Sequence, residues 1–336
     1  MNKFTTPPVS VALIMWVFRN TICTKIKYPL RNVVFTIWLF WYQSICMNFT
    51  RHTLNQIGKL PSVAFHPTLP LMIVGASNGI AIIYDLETSP PIAKNTLNPR
   101  SSCIRCVTFH PHLQLFAIAC NDSSVVLYTL KTSPPALLYN LRHHTGQVCS
   151  IAFHPNLSLL ASGSWDKTAI VYDSSTLPPT ILCHLKDHSA TVMCIAFHPT
   201  LLFFATSSVD STAILYDITL FPPTLKYRLK YYRNSSISSI AFHPRCPLLA
   251  TGSKAVILYD ISTSFPIVKH HLKDHHGFLI RSVTFHSKLE LFATANDFIA
   301  FLYNISMVPP TIKHQLTNRH TGPILSISFH PIRSIF

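Results

Sequence analysis

Glutamate is almost missing from this chain. Glu87 and Glu290 are its only two, and all Asp+Glu come to 12 against 27 Lys+Arg in 336 residues. Charged residues make up 12%, about half the share usual in soluble domains. There is no paired-carboxylate signal and no His-Glu-x-x-His, which removes the common acid–base and zinc hydrolase designs. Glycine is scarce too: 8 residues, none clustered, so no glycine-rich loop can cradle a phosphate. No arginine-rich arm or nucleic-acid motif appears. The 9 Cys are an odd number thinly spread, which argues against a small disulfide scaffold. With hydrophobic residues at 48%, a disordered chain, a coiled coil and a collagen are excluded.

What is present is a repeat. Phe-His-Pro or a near copy recurs with its Phe at Phe65, Phe109, Phe153, Phe197, Phe242, Phe285 and Phe329, at steps of 43 to 45 residues. One unit reads clearly from Ser150. Ser150–Phe153 is a short apolar run stopped by His154-Pro155. Leu159–Ser162 is a second, followed by the turn Ser164-Trp165-Asp166-Lys167. Thr168–Tyr172 is a third, and after Pro178-Pro179 the alternating run Thr180–Leu185 is a fourth. No run reaches helix length, and turn residues arrive every eight to twelve positions or so. Each unit is therefore four short strands, a to d, and a period in the low forties with four strands predicts a propeller blade.

The residues resemble the WD-repeat propellers. Where that family ends a strand in Trp-Asp, this chain has Tyr84-Asp85, Tyr172-Asp173, Tyr216-Asp217 and Tyr259-Asp260, with Tyr128-Thr129 and Tyr303-Asn304 as weaker copies. A His before strand a stands at His144, His188, His276 and His320, and an Asp between strands b and c at Asp122, Asp166, Asp210 and Asp297. The resemblance covers residues 60–331. It implies an all-β fold of four-stranded antiparallel blades. Six repeats are complete, and 324–329 starts a seventh. Residues 35–41 lie in strand c phase and 48–54 follow as strand d, so the expectation is a seven-bladed ring whose last blade is sewn from both chain ends. The division is then a basic, apolar segment, 1–58, and the propeller, 59–336.

The segment 1–58 has a second reading. Residues 32–50 are uncharged, close to the ~20 residues that span a bilayer, and could anchor the chain in a membrane. The cysteines read as reduced core thiols and the compartment as cytoplasmic. Cys103 and Cys106, a Cys-x-x-Cys within strand a, point to opposite faces and cannot chelate.

His144, Ser162, Asp166 and Tyr172 contain the residue types of a hydrolase triad, and the next unit repeats them as His188, Thr206, Asp210 and Tyr216. A catalytic set is needed once. A set that recurs is a building device, and the family resemblance implies a hydrogen-bonded chain tying the loops to strand c. The histidines ahead of Pro, His66 to His330, sit roughly 10 Å apart on adjacent sheets, too far to share a metal. They are expected to close the a–b turns. No cofactor, metal or catalysis is expected.

The resemblance implies a scaffold that holds protein partners, most simply as a monomer. Loops b–c and d–a share one face, and there Trp165, Lys167, Tyr231, Tyr232 and Arg233 break the pattern of small polar residues. Trp, Tyr and Arg are the types enriched in binding hot spots. The net charge of +15 keeps a second class open, a basic propeller on RNA or an anionic membrane surface.

Overall fold

The computed structural model describes residues 11–15, 60–88, 91–99, 102–230, 235–317 and 324–329. Six antiparallel four-stranded sheets follow one another along the chain, at 62–97, 104–141, 148–185, 192–230, 239–272 and 280–317. Blade three shows the pattern: Val148–Phe153 (a), Leu159–Ser164 (b), Ala169–Asp173 (c) and Thr180–Leu185 (d) hydrogen-bond in that order. Burial explains the composition of each strand. Strand b is buried on both faces and reads Leu-Leu-Ala-Ser-Gly-Ser without alternation. Strand d is the outer edge, where Ile181 and Leu182 are exposed and only Leu185 is buried.

The blades pack face to face. Leu159, Ala161 and Val171 of blade three form one core with Val192, Ile195, Phe197 and Phe204 of blade four. Gly163 sits at this seam, where a Cβ would come within 2.7 Å of Val192 Cγ1. Between blades, the inner strands are tied by one device. Ser62 Oγ accepts from Val107 N–H, Ser150 Oγ from Ile195 N–H, Ser239 Oγ from Val283 N–H and Ser282 Oγ from Ile327 N–H, at 3.0–3.2 Å. Cys106 and Cys194 stand at the same position, and their thiols donate to the carbonyls of Ile151 and Ile240.

The expected seven-bladed ring is corrected by the sheets: the propeller has six blades. The C-terminal strand Ile324–Phe329 lies against blades six and one, but its partner is Val11–Met15, in parallel. Both strands of the pair are apolar runs, Val-Ala-Leu-Ile-Met and Ile-Leu-Ser-Ile-Ser-Phe, far apart in the sequence. Residues 35–54, expected to complete that blade, lie outside the described residues, as does the uncharged stretch 32–50. Among the described residues no helix is long and apolar enough to cross a membrane.

On the a–b face each His-Pro turn is built alike. The Nδ1 of His154 accepts from the backbone N–H groups of Asn156 and Leu157 at 3.0 and 2.8 Å. His66, His110, His198, His243 and His286 do the same. Each ring also meets the Phe of the next unit, as His154 meets Phe197 at 5.2 Å. Four c–d turns, in blades two, three, four and six, have a feature of their own, a cis peptide before Pro134, Pro178, Pro222 and Pro309.

Candidate interaction face

Strand order puts the b–c and d–a loops together on the face opposite the His-Pro turns. In blade three the b–c turn folds onto the d–a loop. Trp165 N–H donates to Gln147 O at 2.9 Å and Ser164 Oγ to Gly146 O at 2.9 Å. Gly146 allows this approach, since a Cβ there would lie 2.7 Å from Asp166 N. Lys167 carries the turn's left-handed residue, with φ 72°.

Under the turn, His144 Nδ1 is 2.7 Å from Asp166 Oδ2 and Nε2 is 2.8 Å from Ser162 Oγ. Thr168 Oγ1 donates to Asp166 Oδ1 at 2.6 Å, and the Thr145 N–H to Oδ2 at 3.0 Å. Blade four repeats the set with His188, Asp210 and Thr206 at 2.9 and 2.8 Å. Burial lowers the pKa of His144 and outweighs the attraction of Asp166. For Asp210 burial alone would raise the pKa, but hydrogen bonds from Thr212 and His188 prevail and hold it at about 2. Ser162 and Thr206 are fully buried, so no substrate reaches the oxygen a hydrolase would use. The geometry of a triad here serves to fasten loops.

Tyr172 and Tyr216 part company. Tyr216 Oη donates to Asp187 Oδ2 at 2.9 Å, and Tyr303 of blade six likewise to Asp274 at 2.9 Å. Blade three has His143 in place of that Asp, its ring 5.7 Å from Tyr172, and the buried Tyr172 hydroxyl makes no hydrogen bond. Blade six departs in another way. Its b–c turn is one residue shorter, so Asp297 takes the place of Trp165 and binds Arg281 Nε at 2.7 Å, as Asn121 binds Arg105 Nε at 2.6 Å. The histidine within is His275, fully buried with Nε2 2.6 Å from Thr294 Oγ1. His276, expected at that position, is exposed with φ 52°.

With these ties made, the exposed apolar surface of the face is chiefly Val209, 45% exposed on the b–c turn of blade four, and three aromatic rings. Trp165 is 49% exposed, with the Arg105 guanidinium 5.9 Å from its ring. It also reaches Cys149, whose thiol burial pushes up to about 11. Phe278 of the d–a loop and Phe298 of the b–c turn stand edge to face at 5.2 Å, 46% and 52% exposed. Sequence reasoning passed over this pair because phenylalanine in an apolar chain reads as core; its place between turn residues was the available signal. Lys167 is exposed beside Trp165. Tyr231, Tyr232 and Arg233 lie outside the described residues. No group of His, Cys, Asp and Glu among the described residues is arranged to hold a metal.

The family model for the WD domain, G-beta repeat, matches four times, at 93–129, 135–173, 179–217 and 224–259. The chain is a WD-repeat β-propeller. Each match begins on strand d of one blade and ends on strand c of the next, so every WD repeat is shared between two blades. Propellers of this family generally act as non-enzymatic scaffolds for protein interaction. No curated protein matches the chain.

Proposed function

We propose that this WD-repeat propeller is a monomeric, non-catalytic platform that holds a protein partner on its b–c and d–a loops. The observation that carries the reading is the set of exposed rings, Trp165, Phe278 and Phe298, on turns whose polar groups are already bonded inward. Large aromatics on a rigid, internally satisfied frame cost little ordering on binding, and such residues dominate interface energy. Affinity capture from the native cell tests it. Trp165→Ala and Phe298→Ala are expected to lose the captured partners while melting changes little. Phe265→Ala, 77% exposed at a c–d turn, is the control on the other face. Loss of capture by the control alone would refute the assignment.

We also place the protein in a reducing compartment such as the cytoplasm. Seven described cysteines are free thiols, and those at Cys106 and Cys194 donate across blade seams. Trapping thiols in intact cells with a membrane-permeant alkylating agent checks this: finding them oxidised would overturn it.

A further inference from the structure

The twelve acidic residues divide between the two faces, and the division differs in kind. On the face of the His-Pro and c–d turns three carboxylates meet lysines, Asp85 with Lys94 at 3.6 Å and Asp217 with Lys226 and Asp260 with Lys269 at 3.7 Å, Glu290 meets Arg245 at 2.7 Å, and Lys131, Lys288 and Lys313 stand without such a pair among the described residues. On the loop face every carboxylate is committed to something other than lysine. Asp122 is bonded to Ser124 and Arg142, Asp166 to His144 and Thr168, and Asp187 to Tyr216. Asp210 is bonded to His188 and Thr212, Asp274 to Tyr303, and Asp297 to Arg281. Lys167, Lys186, Lys254 and Lys273 on that face are exposed, and none has a carboxylate within 4 Å among the described residues. Lys167 and Lys254 sit on b–c turns, and Lys186 and Lys273 directly after strand d. Lys167 and Lys186 thus share blade three with Trp165, and Lys254 and Lys273 stand on the b–c turn and strand end next to the loop that carries Phe278.

We infer that the loop face takes an acidic polypeptide segment carrying apolar side chains, its carboxylates answering Lys167, Lys186, Lys254 and Lys273 and its apolar groups seating on Trp165, Phe278 and Phe298. This rests on the platform reading and adds the chemistry of the partner. Complementary charge of this sort steers encounter and rejects wrong partners more than it adds affinity.

Two other anionic partners fit less well. Nucleic acid is recognised through free arginine forks and flat stacking platforms. Here Arg105 is bound to Asn121 and Gln147 and Arg281 to Asp297. Arg105 also sits over Trp165, and Phe278 and Phe298 meet edge to face. A bilayer asks for insertable apolar tips beside cations. The most exposed tips, Leu220, Phe265 and Val308 at 77–79%, are on c–d turns of the other face, where the lysines of blades four and five, Lys226 and Lys269, are paired with carboxylates.

The test is selection of a displayed library of random 12-residue peptides, a probe length of about 40 Å extended, on the full chain. The expected winners are rich in Asp and Glu with Leu, Phe or Ile among them. Their affinity should fall about tenfold or more in a K254E/K273E variant and in Phe298→Ser. Lys269→Glu, whose lysine is already paired, should leave it unchanged. Neutral or basic winners, no winners, or indifference to K254E/K273E would overturn the inference. So would oligouridylate RNA or phosphatidylserine vesicles binding this face where the peptides do not. If partner capture still depends on Trp165 after any of these results, the platform stands and only the acidic partner falls. If capture ignores Trp165, the platform itself falls.

Discussion

Equivalent tyrosines in neighbouring blades separate the worth of a hydroxyl from the worth of a ring. Tyr216 and Tyr172 are both fully buried, but only Tyr216 donates to a carboxylate. A buried hydrogen bond to a charged acceptor contributes about 1.5–3 kcal/mol, and an unmade one costs what desolvation costs. Tyr216→Phe should therefore lower stability by about 1–3 kcal/mol, while Tyr172→Phe should be neutral or stabilising; urea unfolding of the two variants decides it. At Asp166 the loss is larger in kind, because four donors, His144, Thr145 N–H, Thr168 N–H and Thr168 Oγ1, converge on one carboxylate. Asp166→Ala should cost roughly 1–3 kcal/mol or more. The residue types of this set were legible because they recur at a fixed period. The missing tie at Tyr172 was not, since it depends on whether His143 or an Asp stands 29 residues before the Tyr, as Asp187 does for Tyr216.

At the scale of the turn, the b–c element of blade three combines a strained residue with a close approach. Lys167 holds a left-handed φ of 72°, the same position that blade one gives to Gly79 at 86°. A side chain there costs about 1–2 kcal/mol, so Lys167→Gly is expected to raise stability by about 0.5–1 kcal/mol while removing a charge from the loop face. Thermal melting would show it, and a drop in melting temperature would contradict it. Gly146→Ala should act oppositely, since the new Cβ meets backbone at Asp166 rather than a side chain that can move aside. The Trp165 turn would lift, and both stability and Trp165-dependent capture should suffer. Turns of this length were readable from Gly, Asn, Asp and Ser. The shortened turn of blade six was not, and the reassignment of Asp297 follows from that single missing residue; His275 displaces His276 because the d–a loop is one residue longer there, eight steps from Leu272 to Ile280 against seven from Leu141 to Val148.

For the whole ring, acid is the expected weakness. Burial, helped at His110 by His112 and at His154 by His198, holds these two imidazoles at about 4, and His66, His198, His243 and His286 are lowered as well. Each uses Nδ1 as an acceptor, which protonation destroys. A lowered pKa means that between about 6.5 and about 4 the unfolded chain binds protons that the folded one refuses. Stability is full above that window and declines through it, by at most about 1.4 kcal/mol per pH unit for each histidine. Asp210 adds a further loss only below about 4. The urea midpoint should fall steeply between pH 7 and pH 5; a flat profile there would show that the turns do not depend on neutral imidazole. The blade architecture was legible because the period hardly drifts, whereas the number of blades was not. Phasing of 35–54 against the repeat promised strands c and d, but the end strand Ile324–Phe329 pairs with Val11–Met15, an apolar run that carries no repeat phase at all. The stagger between repeat and blade has a last consequence, for a severed chain. A cut in the c–d loop of blade three, between Thr176 and Leu177, leaves an N-terminal piece that ends on an open strand c and a C-terminal piece that begins with the strand d that fits it. Neither fragment can cover its own edge, and each carries the cover for the other. Co-expressed, the two pieces should reassemble and co-purify, and the nicked propeller should report their reunion as a split protein does.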